Sequence, residues 1–261
     1  MNKTDIEWCD QTWNPVTGCL HDCPYCYARQ MVQRWQGYDF EGEVTTLNPY
    51  DGPALLSEPL TISSKHGKKR KAAFPFGFDP TFHEYRLDEP IRVKHPQTIF
   101  VGSMADLFGG WVPTKWIVDI FDACRAAPQH RYLFLTKNPE RYMELDGMAL
   151  LPREDNFWYG STATNCNAPI FWSDKHNTFA SMEPLLAPMR EPPDSFKLNV
   201  KWVILGAETG NRTEKVVPER SWVEPVVAHC KNNGISVFMK DIMEPIWGDP
   251  LLRECPWEVA E

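Results

Sequence analysis

The chain has 261 residues, a formal net charge of −8 and a sequence pI near 5.4. Hydrophobic residues make up 43% and charged residues 24%, which is ordinary for a globular protein with one large core. The acidic balance argues against a protein that coats nucleic acid without specificity, and no apolar run reaches the roughly 18 residues of a membrane helix. The first residues lack the apolar stretch of a signal peptide. We therefore expect a cytoplasmic protein, in which the eight cysteines are metal ligands, reactive thiols or core residues.

The N-terminal third contains a short strand pattern, a cysteine-rich loop and one helical pattern. The strand is predicted over "QTWNPV" and the helix over "YARQMVQRWQ", which ends at Gly37. Residues from about 38 to 80 hold prolines, glycines and the basic run "KHGKKRK", so we interpret them as a long, loop-rich insertion. "PTFHEYR" follows the insertion, and we take it as the second strand of the main sheet.

The remaining two thirds of the chain alternate between strand and helix patterns. The helix "TKWIVDIFDAC" is predicted to begin at an N-cap, Thr114, and "ERYMEL" follows an N-cap at Asn138. A capping box of Ser221 and Glu224 predicts a third helix, which stops at Gly234. The strands are rich in β-branched and aromatic residues, and they are predicted over residues 98–103, 131–136, 157–163, 178–184, 200–207 and 235–240.

This alternation predicts an α/β fold with parallel strands. Together with the two N-terminal patterns it favours a full or partial parallel (β/α) barrel of the TIM-barrel type, with a loop-rich insertion near the N-terminus. We expect a single domain over residues 1–261, with the insertion at about 38–80. An open doubly wound sheet is the alternative, because strand order is not visible in a sequence.

Three cysteines, Cys19, Cys23 and Cys26, form a C-x3-C-x2-C pattern. The polar residues between them do not fit an amphipathic core stripe. Structural zinc sites usually take two separated pairs of ligands, and the remaining cysteines are isolated, although Cys9 or His21 could complete a set of four. Three close thiolates with an open fourth position favour a 4Fe–4S cluster whose remaining iron takes an external ligand.

The cysteine pattern and several wider motifs resemble the radical S-adenosylmethionine superfamily. Within it the chain is similar to a family of unknown function carried by phages and bacteria, which is distantly similar to spore photoproduct lyase. The resemblance runs from about Ile6 to Lys240. The motifs that carry it are "TWNPVTGCLHDCPYCYAR", "PTFHEYRLDEP", "IFVGSMADLF", "FLTKNPERY", "SMEPLL" and "WVILGAETG".

The resemblance implies a specific chemistry for the cysteine loop. The three thiolates would hold three irons, and S-adenosylmethionine would chelate the fourth. One electron from an external donor would then cleave the cosubstrate to methionine and a 5′-deoxyadenosyl radical, which abstracts hydrogen from the substrate. Tyr25 would lie near the adenine, or else simply pack within the loop. Cys166 would return a hydrogen atom, as a cysteine does in spore photoproduct lyase, or would be a loop thiol without a role.

Polar residues follow six of the strand patterns, at the ends where βα barrels carry their chemistry. If the barrel closes, the charged ones converge on one mouth, where they need partners or a polar ligand. We predict Cys166, Glu183, Glu208 and Lys240 as catalytic residues. The predicted cosubstrate-binding residues, besides Tyr25, are Ser103, Asp106, Thr136, Lys137, Ser161 and Thr162.

The basic run gives the main indication of a substrate. Lys65, Lys68, Lys69, Arg70 and Lys71 are clustered in an otherwise acidic chain, and phenylalanines follow them. Basic and aromatic residues on one insertion suit a nucleic acid strand, so we expect a nucleic acid or nucleotide substrate and no membrane partner. The alternative is a zinc-stabilised α/β binding module for nucleic acid or a protein partner, without catalysis.

Overall fold

The computed structural model describes residues 1–33, 40–41, 45–46, 53–63, 69–189, 200–210 and 212–258. None of the described helices is long and apolar enough to cross a membrane. The helices are α1 (Tyr27–Gln33), α2 (Glu89–Arg92), α3 (Thr114–Arg125), α4 (Glu140–Gly147), α5 (Arg220–Asn232) and α6 (Glu244–Trp247). The strands are β1 (Asn2–Lys3), β2 (Gln11–Trp13), β3 (Val16–Thr17), β4 (Phe40–Glu41), β5 (Thr45–Thr46), β6 (Ala54–Leu56), β7 (Thr61–Ser63), β8 (Lys69–Lys71), β9 (Thr81–His83), β10 (Thr98–Val101), β11 (Arg131–Thr136), β12 (Phe157–Thr162), β13 (Asn177–Met182), β14 (Trp202–Leu205) and β15 (Ser236–Met239).

Eight strands form one large sheet in the order β1-β2-β10-β11-β12-β13-β14-β15. β2 pairs in parallel with β10, and β13 pairs in parallel with β12 and β14. β14 and β15 are also parallel, whereas β1 runs antiparallel to β2. The predicted α/β class with parallel strands is therefore confirmed. In the described parts of the chain, the sheet order runs from β1 to β15 and shows no closure into a barrel.

β3, the insertion and the strand after the insertion build two smaller sheets, in the orders β3-β9-β6-β5 and β4-β7-β8. The prediction that "PTFHEYR" supplies the second strand of the main sheet was wrong. β9 instead pairs antiparallel with β3 and parallel with β6. The place beside β2 belongs to β10, whose run Ile99–Val101 is buried, as a central parallel strand requires.

The predicted helix starts were displaced by one or two residues. Pro113 rather than Thr114 is the N-cap of α3, and Pro139 rather than Asn138 is the N-cap of α4. The capping box was wrong, because α5 starts at Arg220 and the Ser221 hydroxyl donates to the Glu219 side chain. The predicted stop of α5 was correct: Gly234 has a φ of +66°, which favours glycine.

The chain divides into two compact units, an N-terminal unit of residues 1–132 and a C-terminal unit of residues 133–261. The single-domain assignment stays a prediction. In the N-terminal unit, α3 buries its apolar face, including Trp116, Ile120 and Phe121. The rings of Phe82 and Trp116 stack with their centroids 4.9 Å apart. This contact joins the small sheet that contains β9 to α3.

In the C-terminal unit, β12 to β15 present two different faces, because successive side chains of a strand alternate. One face packs against α5 through an apolar cluster that includes Met182, Leu205 and Met239. The opposite face is aromatic and includes Phe179 and Trp202, with ring centroids 5.5 Å apart. We call this second face the aromatic face. The polar residues that follow the strands lie at the carboxyl ends of those strands.

Residues 252–254 run along the outer edge of β15. The N–H of Met239 donates to the Leu252 carbonyl at 2.7 Å, and the N–H of Glu254 donates to the Val237 carbonyl at 2.9 Å. Trp257 then places its ring edge-on against Trp202, 5.0 Å away. This C-terminal strap closes the hydrogen-bonding edge of β15.

His83 is a fully buried side chain in the small sheet of the N-terminal unit. Its Nε2 lies 2.8 Å from the Thr17 hydroxyl and its Nδ1 lies 3.1 Å from the Tyr85 hydroxyl. Burial, together with the nearby charge of Arg86, lowers the pKa of His83 to about 2. The ring therefore stays neutral in the native protein.

His83 should make the protein less stable in mild acid. Unfolding returns its pKa to 6.5, so below that value the unfolded chain binds a proton that the native one does not. Each pH unit below 6.5 then removes about 1.4 kcal/mol of stability. His83→Gln should flatten the fall in the free energy of urea unfolding between about pH 6 and pH 4, while the exposed His95→Gln should not. Equal slopes for wild type and His83→Gln would contradict this.

Candidate functional site

The cysteine loop, which we define as residues 18–26, starts where β2 and β10 have both ended. Gly18 makes a parallel bridge with Ala105, and its N–H donates to the Met104 carbonyl at 2.9 Å. Gly18 has a φ of +87°, and a Cβ there would lie 2.3 Å from the Asp79 carbonyl oxygen. Only glycine fits this approach. The loop thus lies at the carboxyl ends of parallel strands, the edge where α/β proteins bind their ligands.

The predicted ligands Cys19, Cys23 and Cys26 are half-buried, and none of them is in a disulfide. Cys23 and Cys26 flank a tight turn, in which the N–H of Cys26 donates to the Cys23 carbonyl at 3.1 Å. The sulfur of Cys26 accepts the backbone N–H of Arg29 at 3.4 Å. Hydrogen bonds of this kind to ligating sulfurs tune the potential of iron–sulfur clusters.

Within the described residues, no group of three or more His, Cys, Asp or Glu side chains is arranged to hold a metal ion. A single ion draws its ligands together, whereas each thiolate of a cluster binds a different iron. Three thiols of soft donor character on one loop therefore suit a cluster by their chemistry. Cys9 lies outside the loop, and its thiol is directed to the Ile6 carbonyl at 3.8 Å.

Of the predicted cosubstrate residues, Asp106 contacts the cysteine loop, and Ser103 contacts the residues on either side of it. Nε2 of His21 lies 2.8 Å from the Asp106 carboxylate, which is 5% exposed and also accepts the N–H of Phe108. The Tyr27 hydroxyl donates to the Ser103 carbonyl at 2.8 Å. The Asn14 amide donates to the Ser103 hydroxyl at 3.1 Å. These contacts tie the loop to the segment after β10.

Arg29 is a second tie that the sequence did not reveal. Its guanidinium donates to the Cys19 carbonyl at 2.8 Å and lies 3.5 Å from the Asp22 carboxylate. It also stacks over the Phe78 ring, 5.1 Å from its centroid. The position of Arg29, three residues after the last cysteine of the motif, was the available signal. Tyr25, the predicted adenine neighbour, is half-buried within the loop.

In the C-terminal unit, Glu183 and Lys240 form an ion pair across the end of β14. A Cβ added to Gly206 would lie 2.9 Å from Cγ of Glu183 and 3.2 Å from Cδ of Lys240. Gly206 is therefore the residue over which the two side chains meet. The structure brings together two of the four predicted catalytic residues.

Glu208 is held differently. Its side chain is 1% exposed, and both carboxylate oxygens accept hydrogen bonds from the Arg212 guanidinium, at 2.7 and 2.9 Å. The N–H of Val216 is a third donor, at 3.3 Å. The hydrogen bonds from Arg212, more than the opposing effect of burial, lower the pKa of Glu208. These bonds make Glu208 the anchor of the loop after β14.

The other predicted residues of the C-terminal unit are spread around the strand ends. The Thr136 hydroxyl accepts the N–H of Asn138 at 2.9 Å and so caps the turn into α4, beside the exposed Lys137. The Ser161 hydroxyl is fully buried and accepts the N–H of Phe171. Alternation places Thr162, and not Ser161, on the aromatic face. Cys166 is exposed in the loop after β12.

Taken by units, the structure ties Asp106 to the cysteine loop through His21 and ties Ser103 to the residues that flank the loop, and it pairs Glu183 with Lys240. The expectation that Asp106, Glu183 and Glu208 share one cavity concerns residues of both units. It stays a prediction.

The fold and the site define an α/β protein with a large, mostly parallel sheet and a thiol-rich loop at the carboxyl ends of its strands. Residues 3–249 match the family model described as protein of unknown function (DUF5131), and the chain belongs to that family. No curated protein and no solved structure matches the chain. The family description names no activity.

Glu208→Gln should release the loop after β14 and destabilise the protein. Loss of a buried, charge-assisted pair costs about 1–3 kcal/mol. The native pKa of Glu208 is lowered from 4.5, so the wild-type advantage is present above that value and is lost as pH falls through the native pKa.

Urea unfolding at pH 7 and at pH 3.5 measures this difference. Glu224→Gln is the matched control, because Glu224 forms an exposed ion pair with Arg220 at the same i,i+4 spacing. It should cost less than about 0.5 kcal/mol. Equal losses for the two variants would show that Glu208 is not an anchor.

Proposed function

We propose that the chain is a radical S-adenosylmethionine enzyme in which Cys19, Cys23 and Cys26 hold a 4Fe–4S cluster. One observation carries the proposal: three half-buried cysteines, none of them in a disulfide, share a loop anchored at the carboxyl ends of β2 and β10. Chemistry in βα barrels lies at that edge. The large parallel sheet supports a full or partial (β/α) barrel, which we propose as the architecture.

When bound, the cluster would supply an electron, received from an external one-electron donor, for the reductive cleavage of S-adenosylmethionine. The described residues would hold the loop rigid for this task. Arg29 bridges the start and middle of the loop, and the His21–Asp106 contact fixes it to the segment after β10. Positions held in this way lose little freedom on ligand binding.

Tyr25 is our preferred cosubstrate contact in the N-terminal unit, because it lies between the second and third thiol. Thr162 lies on the aromatic face of the C-terminal unit at the end of β12, and its contact with the cosubstrate stays a prediction. The roles of Ser103, Asp106, Thr136 and Ser161 are supported less, because their polar atoms already serve the loops around them.

For the reaction itself we propose Glu183 and Lys240 as the substrate-facing pair, and Cys166 as an exposed thiol able to return a hydrogen atom. Glu208 was predicted to be catalytic, but its contacts with Arg212 and Val216 support a positioning role.

A nucleic acid or nucleotide is our proposed substrate class. Lys69, Arg70 and Lys71 form β8 and are all exposed, on an insertion sheet of an acidic chain. Lys71 also lies over the Tyr85 ring, 5.6 Å from its centroid. Basic side chains beside aromatic rings suit a phosphate backbone with stacking bases. Lys65 and Lys68, of the same basic run, lie outside the described residues.

Single alanine substitutions of the cysteines test the cluster. Cys19→Ala, Cys23→Ala and Cys26→Ala should each lose iron and the broad visible absorption of an iron–sulfur cluster in protein purified without oxygen. Cys9→Ala and Cys166→Ala should retain both. Reduced wild-type protein should cleave S-adenosylmethionine to methionine and a 5′-deoxyadenosyl radical, which becomes 5′-deoxyadenosine by taking a hydrogen atom from the substrate.

Two outcomes would count against the enzyme. If Cys9→Ala loses metal as completely as Cys23→Ala, a four-ligand site replaces the cluster. Stoichiometric zinc in place of iron would favour the zinc-stabilised binding module instead.

The basic strand should set the salt dependence of nucleic acid binding. Replacing Lys69, Arg70 and Lys71 by Ser should weaken binding to single-stranded DNA or RNA. It should also reduce the slope of log affinity against log salt by about 0.7 for each lost phosphate contact. The control is the same charge change at the exposed Lys94, Lys175 and Lys231. Binding that is absent at low salt, or equal in both variants, would remove nucleic acid as the substrate.

A further inference from the structure

We propose that Glu183, Lys240 and Ser181 form a subsite for the lactam edge of a nucleobase, the adjacent C=O and N–H groups of a uracil, thymine or hypoxanthine ring. The inference deepens the nucleic acid part of the proposed function. It is argued from the C-terminal unit alone and does not require a cluster on the cysteine loop.

Glu183 and Lys240 lie side by side because three neighbouring strands end in register. The N–H of Gly206 donates to the Met182 carbonyl at 3.1 Å, and the N–H of Lys240 donates to the Leu205 carbonyl at 3.0 Å. These bonds continue the ladders beyond β13, β14 and β15 by one row. Since Gly206 has no side chain, Glu183 and Lys240 meet above it on the aromatic face.

The ion pair keeps unused hydrogen-bonding capacity of both kinds. An ammonium has three donors, and among the described residues that of Lys240 has one partner, an oxygen of Glu183. The second carboxylate oxygen of Glu183 remains an acceptor. The side chains are 15% and 23% exposed, so a ligand can reach them. Together they present a donor next to an acceptor, which complements a ligand with an acceptor next to a donor.

Charge selects the kind of ligand. The pair is neutral overall, so a phosphate drawn to Lys240 would also be repelled by Glu183. An amino-acid zwitterion would bring two further charges into a half-buried site. Removing these charges from water costs free energy and so disfavours binding. A lactam adds no charge: its C=O accepts from Lys240 and its N–H donates to Glu183, and the ion pair need not break. Proteins that hold a base outside the stack recognise it at this edge.

Ser181 supplies an independent observation. Its hydroxyl is buried, the residue being 1% exposed, and it has no hydrogen-bond partner among the described residues. Unpartnered buried hydroxyls are uncommon and call for a partner, which the described residues do not supply to Ser181. Ser181 precedes Glu183 by two residues and therefore shares its face, with Thr162 beside it in register. A nucleobase carries further polar groups that can reach these hydroxyls.

Binding of uridine and N3-methyluridine to the full chain tests the subsite directly. The methyl group removes the lactam N–H and leaves the rest of the nucleoside in place. Titration calorimetry or ligand-observed NMR should show uridine binding, with N3-methyluridine weaker by at least about tenfold. Inosine and N1-methylinosine should repeat the difference for a purine. L-Alanine serves as the zwitterion probe and should not bind.

Variants locate the binding. Lys240→Met and Glu183→Gln should each weaken uridine binding by at least about tenfold. Ser181→Ala should weaken it to a smaller extent while leaving the ion pair in place, and it keeps the test valid if either pair variant fails to fold. The exposed Glu224→Gln is the control and should bind as wild type does.

Three results would overturn the proposal: no difference between uridine and its N3-methyl derivative, tighter binding of L-alanine than of uridine, or binding unaffected by both Ser181→Ala and Lys240→Met. Failure of the cluster is a separate result. Iron content is measured on the cysteine variants, whereas uridine binding is compared among wild type and the Glu183, Lys240 and Ser181 variants, so the two failures are distinguishable.

Discussion

The cysteine loop depends on a close approach of two backbones at Gly18. The loop leaves the small sheet there, and the Asp79 carbonyl occupies the space that any side chain would need. The N–H groups of Gly18 and Cys19 are then bonded to carbonyls of two different segments, after β10 and before β9. Because two consecutive N–H groups are bonded to two different segments, the backbone at the start of the loop is held in one conformation. The position of Cys19 is therefore fixed by backbone hydrogen bonds.

Charged groups of the described site residues are mostly held in pairs, and each pair serves a different purpose. The buried Asp106 carboxylate contacts Nε2 of His21. This contact fixes the loop and gives the buried carboxylate a partner. Glu208 is buried and fully engaged by Arg212 and Val216, which orders the loop after β14. The Glu183–Lys240 pair is the more exposed one, and among the described residues it keeps donors and acceptors that no other side chain uses. An ion pair that binds a ligand therefore differs from one that anchors a loop mainly in its unused hydrogen-bonding groups, and less in its charge.

Much of the fold could be predicted from local patterns, because buried parallel strands read as short apolar runs. The pattern over residues 131–136 coincides with β11, and Gly234 ends α5 as its backbone freedom requires. The place of β9 could not be predicted, since pairing between distant strands leaves no local trace in a three-residue segment. The N-cap residues of α3 and α4 were also mispredicted. Pro113 and Pro139 are N-caps without side-chain hydrogen bonds, so no capping motif in the sequence marks them.

For the site, the spacing of the three cysteines and the polar strand ends were visible, but the partners were not. The sequence identified Glu208 as a residue at the end of a strand, but not that Arg212, four residues later, would occupy both its oxygens. Likewise Ser161 and Thr162 are neighbours in the chain, yet they face opposite sides of the sheet. Only the register with β13 decides which of them reaches the aromatic face.

The C-terminal strap has a consequence for solubility. β15 is an outer strand of the large sheet, and an uncovered outer strand offers a template on which other chains can add strands. Residues 252–254 occupy that template, and Trp257 fills the space beside Trp202. The strap lies beyond the residues that match the family model, which end at 249. A chain shortened to the matched residues would bare both a strand edge and an aromatic surface, and would tend to assemble into intermolecular β-sheets.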